Sequence, residues 1–405
     1  MMVRRTAVLK FGGTSLGDEA SREIAMLRVR EAVQEGYAVV VVCSAMGRAP
    51  SPYATDSLLA LTGGTLGGAN VDLALAAGEM IAASVFAELL DRNQVPARAL
   101  SGAQAGIRTD EHFGNANVVR VDPIAVEALL DAGIVPVVAG FQGATEHGDV
   151  TTLGRGGTDL SAIALGHAVG AERIDIYTDV SGAMTADPHR INGARRIERA
   201  ELLEMSELAE HGAKVMHAKA ADYAQQTRTP YAIKGLRSGV GTVVEAGIDR
   251  HSPVTGVTST ANLTFVRIIR GDIEDQRARM QLELEMFRRI AERQISIDQV
   301  NINTAGVFFV VKAAEAGKIR TLLGDLNMAV RVRESCAKLS IVGAGMRGTP
   351  GVIHRIVQAL SAANVEIIHC TDSNITVSIV VPQKDAERAE AAVHDFFQLD
   401  REALS

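Results

Sequence analysis

"KLSIVGAGMRGTPGVIHRIVQAL", residues 338 to 360, runs from an apolar strand through a cluster of glycines into an amphipathic helix. Gly343, Gly345 and Gly348 spell the G-x-G-x-x-G of dinucleotide-binding folds, in which the third glycine already lies inside the helix. Pro350 would then stand in the helix interior, removing an N–H and clashing with the preceding turn at a cost of about 3 kcal/mol. A helix that begins at Pro350 instead puts the proline at the first helical position, where it is favoured. Too little chain follows residue 348 to complete a doubly wound sheet. The stretch therefore reads as a tight strand-to-helix loop, structural or binding a small ligand, and not as a nicotinamide site.

Working outward, the stretch is the second of two similar segments, each reading strand, helix, strand, strand. The first comprises "LTFVRIIRG", "MQLELEMFRRIAERQ", "SIDQVNIN" and "GVFFVVK"; the second comprises "KLSIVGAG", "GVIHRIVQALSAAN", "VEIIHCTDS" and "ITVSIVVP". A duplicated βαββ unit is the economical reading. The polar, turn-rich "EAGIDRHSPVTG", 245 to 256, marks a boundary ahead of it. Before that boundary the apolar runs "TAVLKF", "YAVVVVCSA", "GIVPVVAGF", "ERIDIYTDV" and "PYAIKG" alternate with the helix-like "NVDLALAAGEMIAASVFAELL" and "GTDLSAIALGHAVG". Such alternation predicts an α/β domain with a largely parallel sheet.

The bulk composition narrows the classes. A chain of 405 residues is long for one hydrophobic core, and 47% hydrophobic with 22% charged residues is ordinary for a globular protein. With a formal charge of -7 and no Lys/Arg run interleaved with aromatics, nucleic acid is not an expected partner. "MMVRRTAVLKFGG" has too short an apolar region for a signal peptide, and runs such as "AVVVVCSAM" fall short of a membrane span. Cys43, Cys336 and Cys370 suggest neither a disulfide framework nor a zinc site, so a cytoplasmic location is expected.

Three glycine-rich or acidic stretches carry chemistry. In "LKFGGTS", 9 to 15, the lysine precedes the glycines, which excludes a Walker A loop. Gly12 and Gly13 can present N–H groups to phosphate oxygens with Lys10 adding a point charge, although a structural turn reads equally well. "GDVTTLGRGGTDLSAIALG", 148 to 166, sets Thr151, Thr152, Arg155 and Thr158 among glycines ahead of a helix. Thr158 or Asp159 can cap that helix, whereas an arginine at this place suits a forked carboxylate or phosphate. In "IYTDVSGAMTADPHR", 176 to 190, Asp179 and Asp187 follow a strand and serve either a site or the capping of turns.

Taken with "VVCSAMGRAPSPYATDSLLAL", "AAGEM", "AGFQG" and "GAKVMHAKA", these stretches closely resemble the aspartate kinase (aspartokinase) family of the amino-acid kinase superfamily, over nearly the whole chain. "YATDSLLAL" and the tail "DSNITVSIVV" look most like its diaminopimelate-sensitive Bacillus-type members. The resemblance implies a three-layer α/β/α catalytic domain over 1–250, then two ferredoxin-like ACT domains over 251–335 and 336–400. It also implies transfer of the γ-phosphoryl of ATP, with Mg²⁺, to the side-chain carboxylate of L-aspartate, the first step toward lysine and diaminopimelate, threonine and methionine. The chemistry suits the residues, because a carboxylate with a reference pKa of about 3.9 needs no general base at pH 7.

By family position, Lys10 and Lys214 neutralise the phosphates, Gly12 and Gly13 donate N–H groups, and Asp159 orients the ammonium groups. Phe11, Ser44 and Thr158 join this ATP side. The adenosine lies against Thr178, Asp179, Gly182, Met184 and Asp187, with Arg190 nearby. Arg155 takes the α-carboxylate of aspartate, Glu79 its α-amino group, and Thr55, Phe141, Thr152, Gly156, Gly157 and Thr158 wall the pocket. Magnesium is expected on ATP oxygens, with no protein metal cluster.

Four departures from the family pattern stand out: His189 where arginine is usual, with Arg190 one place on; Thr158 for serine; "KVMHAKA" for "KVLHPRA"; and a shorter "YAIKGLRSGVGT". All but Thr158 are expected on the nucleotide side, which keeps a second reading in view, a weakly active or inactive paralogue acting as an amino-acid-sensing regulatory subunit. A glutamate or N-acetylglutamate kinase fits less well, since those lack the ACT pair. In the second ACT unit, Met346, Gly348, Gly351 and Val352 are expected to face Asp372, Ser373 and Asn374, with Gln299 in the first unit, around an effector such as lysine, threonine or diaminopimelate. A homodimer or higher oligomer through the ACT domains is also implied.

Overall fold

The computed structural model describes residues 4–213, 215–248, 252–270, 275–324, 326 and 328–401. The chain forms two compact units, Met1–Ala183 with Arg196–Asp249, and Met184–Arg195 with Arg250–Ser405.

The first unit holds strands β1 (Thr6–Phe11), β2 (Ala38–Cys43), β3 (Ala97–Leu100), β4 (Ile107–Thr109), β5 (Val118–Val121), β6 (Val135–Ala139), β7 (Gln142–Ala144), β8 (Val150–Thr152), β9 (Arg173–Thr178), β10 (Arg199–Glu201), β11 (Tyr231–Gly235) and β12 (Gly241–Glu245). Its helices are α1 (Gly13–Leu16), α2 (Glu19–Gln34), α3 (Thr55–Leu61), α4 (Ala69–Arg92), α5 (Ile124–Asp131), α6 (Gly157–Ala168), α7 (Leu202–Glu210) and α8 (Ala218–Thr227). Eight strands form one sheet in the order β10-β12-β11-β9-β1-β2-β6-β3, parallel throughout except between β11 and β12. β1 is buried along its whole length, as a central parallel strand covered on both faces requires. From β1 the chain builds outward on one side through β2, β6 and β3, and on the other through β9, β11 and β12. The carboxyl end of β1 is thus the topological switch point, where open α/β sheets bind ligands.

A smaller sheet, β5-β4-β7-β8, sits in the same unit, and its β7–β8 hairpin delivers the loop that precedes α6. α4 is 24 residues long and apolar enough to span a bilayer by length and composition, longer than the sequence runs suggested. Leu75, Ala76, Phe86 and Leu90 on it are buried within the unit, so the apolar length serves the core.

The second unit holds β13 (Gly256–Arg270), α9 (Gln276–Glu292), β14 (Asp298–Asn303), β15 (Gly306–Lys312), α10 (Ala316–Leu323), β16 (Met328–Val342), α11 (Val352–Ala362), β17 (His369–Asp372), β18 (Thr376–Pro382) and α12 (Ala386–Phe396), in one six-stranded sheet ordered β14-β15-β13-β16-β18-β17. The two long strands β13 and β16 each serve both repeats. Residues 263–270 pair with β15 and with the first half of β16, while Gly256–Thr260 pair with Lys338–Val342. The second repeat therefore takes its last strand from chain that precedes the first repeat. Each repeat has its own core, one around Met286, Ile290 and Phe309 and one around Ile341, Ile356 and Val393, and a smaller cluster of Leu263, Phe265, Val310, Cys336 and Val380 lies beside them.

The glycine loop of the second repeat corrects one expectation. α11 begins at Val352, not at Pro350, and its N-cap is Gly351 with φ +85°. A left-handed N-cap favours glycine, so the proline is displaced to the turn before the helix. Gly343 and Gly345 have another role: a Cβ on either would lie 2.2 Å from Pro253 O or 2.6 Å from Ser252 O. These two glycines let the 252–254 segment approach closely, while Gly348 has open space and a φ of +74°, so each has a backbone reason to be glycine without a pyrophosphate.

Candidate active site

At the switch point the buried strand β1 carries a lysine one residue before its end. Lys10 is 8% exposed, and its Nζ lies 2.6 Å from Asp159 Oδ1 in the first turn of α6. A cation in a buried strand requires such a partner. Gly12 is the N-cap of the short α1, and a Cβ on Gly13 would meet Ala45 O at 2.7 Å and Gly47 O at 2.8 Å. The glycine pair thus brings the β1 loop against the β2 loop. Phe11, between Lys10 and Gly12, stacks on Tyr177 and meets Phe86 at a tilt in the core.

Ser44 Oγ donates to Thr158 Oγ1 at 2.9 Å. The extra methyl of Thr158 faces Gly140, where a Cβ would lie 2.6 Å from Thr158 Cγ2. The glycine at 140 makes room for the threonine.

Glu79, on α4, is 2% exposed. The backbone N–H of Ala45 donates to its Oε1 at 3.2 Å, the Thr55 hydroxyl also reaches it, and Oε2 has no hydrogen-bond partner. Burial pushes its carboxyl up to about 8, outweighing those hydrogen bonds. An acid in this state awaits a cation.

The loop after β8 is held by its backbone. Thr152 N–H donates to Asp72 Oδ2 at 2.6 Å, while the buried Thr152 hydroxyl has no partner. Gly156 caps α6 with φ +74°, and a Cβ there would meet His217 Cβ at 2.1 Å. Phe141 has φ +64°, its N–H donates to Ser161 Oγ at 3.0 Å, and its ring packs against Gly157. Arg155 is exposed and makes no ion pair or side-chain hydrogen bond among the described residues. The loop presents an uncommitted guanidinium beside a helix N-terminus, an arrangement suited to an anion.

The residues expected on the adenosine side divide between the units. Thr178 Oγ1 donates to Asp179 Oδ1 at 3.1 Å, and Arg48 reaches Asp179 Oδ2 at 3.1 Å across exposed surface. Gly182 has φ +107° and packs against Thr242. Met184, Asp187 and Arg190 belong to the second unit. There Asp187 accepts from His189 N–H at 3.0 Å as a turn cap, and Arg190 pairs with Glu390. Lys214 lies outside the described residues. Among the described residues no group of three or more His, Cys, Asp or Glu side chains is placed to hold a metal ion.

In the second unit Met346, Thr349, Gly351, Val352, Asp372 and Ser373 line a cavity of about 330 Å³, with Asn374 and His354 at its rim. Gly348 and Gln299 are not among its lining residues.

Several site residues escaped the sequence reading. Asp72 lies seven residues before Glu79, two helical turns along the same face of α4, a spacing that could have flagged it. Tyr231 and His217 sit near Asp159; burial and that carboxylate raise the Tyr231 phenol, and burial lowers His217. Lys219, in the altered "KVMHAKA", reaches Leu153 O in the loop before Arg155.

Residues 5–235 match the amino acid kinase family and residues 339–397 an ACT domain. Aspartokinase 1 of Bacillus subtilis is 40% identical, with 97% of this chain and 99% of that protein aligned. The aspartokinase of Geobacillus stearothermophilus is 36% identical, covering 98% of each. In fold the chain is similar to Escherichia coli aspartokinase III in complex with aspartate and ADP, with a TM-score of 0.77 at 24% identity over 97% of this chain and 99% of that one.

Proposed function

The chain belongs to the aspartokinase family and is an aspartate kinase, and on that premise we propose that it transfers the γ-phosphoryl group of MgATP to the side-chain carboxylate of L-aspartate, under feedback by a small amino acid. The observation that carries this reading is the buried Lys10–Asp159 pair, 2.6 Å apart, at the carboxyl end of β1. Phosphoryl transfer needs positive charge and donors fixed around the moving group, and little else from the protein. Asp159 holds the Lys10 ammonium in one orientation, and Lys10 meets the negative charge that spreads over the transferring oxygens. The acceptor oxygen attacks phosphorus as ADP leaves, so no proton has to be removed from the attacking carboxylate. Lys214 is read as a second phosphate cation, and Mg²⁺ enters with ATP as part of the substrate.

Acceptor selection follows from charge. Arg155 forks the α-carboxylate, and Glu79, once ionised, pairs with the α-ammonium, so that the buried acid gains an opposite charge. The E. coli neighbour, captured with aspartate and ADP, supports this choice of ligands. The cavity under Met346 and Asp372 suits an amino-acid effector, and assembly with a second copy through the ACT domains belongs to the same reading. A coupled assay of ADP release with aspartate, glutamate or N-acetylglutamate tests it, repeated with lysine, threonine and diaminopimelate. ADP release is expected with aspartate and Mg²⁺ alone. Its absence, with tight binding of one of the three effectors, would instead identify a regulatory paralogue.

A further inference from the structure

Lys219 stands in the first turn of α8 with its Nζ 2.6 Å from Ala116 O, 3.2 Å from Leu153 O, 3.3 Å from Asn115 O and 3.2 Å from Asn115 Oδ1. No carboxylate is among these partners. An ammonium has three donors, and here they converge on two loops distant in sequence. The side chain is half-buried, and desolvation lowers its pKa, with Asp110 the nearest opposing pull.

A second clamp joins the same two loops from another helix. Asp72, fully buried on α4, accepts the N–H of Gly114 at 2.9 Å and of Thr152 at 2.6 Å through one oxygen, while its other oxygen is buried without a partner. Between the two clamps Ala116 N–H donates to Thr152 O at 2.9 Å. The segments 114–116 and 152–153 are thus tied by a cation, an anion and a backbone bond. The chain that follows them is Gly154-Arg155-Gly156, in which both glycines have positive φ and Arg155 has no side-chain partner among the described residues.

An exposed arginine that no described side chain grips is placed by its backbone. We propose that Lys219 and Asp72 are positioning residues for the acceptor, fixing the loop from which Arg155 and Thr152 reach L-aspartate. This rests on the assignment of Arg155 to the aspartate α-carboxylate. The two clamps use charge because several carbonyls or amides must converge on one point; an ammonium gathers carbonyls, and a carboxylate gathers N–H groups. Neither residue touches substrate. Their effect is confined to the geometry of one loop, and a misplacement of about 1 Å is enough to cost about a hundredfold in rate.

The experiment compares Lys219→Met, Asp72→Asn and Arg155→Gln in the full-length enzyme, measuring KM for aspartate, KM for ATP, kcat and thermal stability. Lys219→Met and Asp72→Asn are expected to raise KM for aspartate by about tenfold or more while KM for ATP moves by less than about twofold. Parallel changes in both constants, or no change in either, would overturn the proposal. Should Lys219→Met fail to fold, Asp72→Asn, which keeps the side-chain shape, carries the same test. Arg155→Gln separates the two readings. If it leaves KM for aspartate unchanged, the assignment of Arg155 fails; if it raises that constant while both clamp variants do not, the clamp fails alone.

Discussion

Arg190 lies 3.2 Å from Glu390 Oε2, and it donates to Ser259 Oγ at 2.6 Å while Ser259 donates in turn to the same carboxylate at 2.8 Å. The glutamate side chain is 1% exposed and the arginine 31%. The segment from Met184 to Arg195, which by sequence falls inside the kinase region, is thus pinned to α12 of the second unit, with Thr185 Oγ1 2.9 Å from His394 Nε2 as another tie. The guanidinium is engaged here, so any phosphate contact by Arg190 would have to open this pair.

Removing the cation alone strands a buried carboxylate. Arg190→Met is expected to destabilise the protein by about 3 kcal/mol, the usual scale for breaking a buried pair. Burial already raises the Glu390 carboxyl, and loss of Arg190 raises it further. A folded-state pKa above the unfolded one gives stability that is complete at low pH and is lost as pH rises through the folded value. The melting temperature of Arg190→Met should therefore fall more steeply than that of the wild type as pH rises above the ordinary carboxylate range. Adding Glu390→Gln should flatten that slope, and scanning calorimetry at several pH values measures both.

Glu79 gives a prediction about activity. Its carboxyl is raised from an ordinary 4.5 to about 8, so at pH 7 it is mainly protonated in the free enzyme. Pairing with the aspartate ammonium requires the carboxylate. The kcat/KM for aspartate should therefore rise by about tenfold per pH unit below 8 and level off above it. The kcat should vary less, because the bound ammonium favours ionisation. The same shift destabilises the ionised protein as pH climbs from 4.5 toward 8. Glu79→Gln should then melt higher than wild type at pH 8.5 while losing aspartate affinity, and a pH-independent kcat/KM would contradict the assignment.

The Thr158 methyl and Gly140 form a size-matched pair. A Cβ at 140 would stand 2.6 Å from Thr158 Cγ2 and 2.9 Å from Val42 Cγ1. Gly140→Ala is expected to cost about 1–3 kcal/mol by overpacking and to disturb the Ser44–Thr158 hydrogen bond, raising KM for ATP. Thr158→Ser in the same chain should recover part of the loss, since the contact with Val42 remains. A double mutant no better than Gly140→Ala would show that the methyl is not the obstruction.

The sequence revealed what local periodicity encodes. TAVLKF and GVFFVVK became strands with those very limits, and the helical runs around Glu79 and after Gly156 were read to within a few residues. The sheet β5-β4-β7-β8 was missed because strands of three or four residues leave no periodic signal. The interlocking of the ACT repeats was hidden for another reason. Residues 256–260 belong with residues 338–342 through register, which no local pattern records. Asp72 and Lys219 were passed over since most of their partners are backbone atoms, which have no sequence signature; the spacing of Asp72 to Glu79 was the one local cue.

The cavity of the second ACT repeat has two chemically distinct walls. One is the start of α11, at Gly351 and Val352, whose N–H groups suit the carboxylate of an amino acid. The other is Asp372 at the end of β17, an acid suited to an ammonium. A zwitterion satisfies both walls at once, whereas a simple anion would meet repulsion from Asp372. Asp372→Ala should therefore weaken the ammonium end alone. In a titration of the kinase with lysine, threonine and diaminopimelate, the concentration giving half-inhibition should rise by about tenfold or more, the scale of one lost charged hydrogen bond. Unaltered half-inhibition by whichever amino acid inhibits would mean that this cavity is not its binding site.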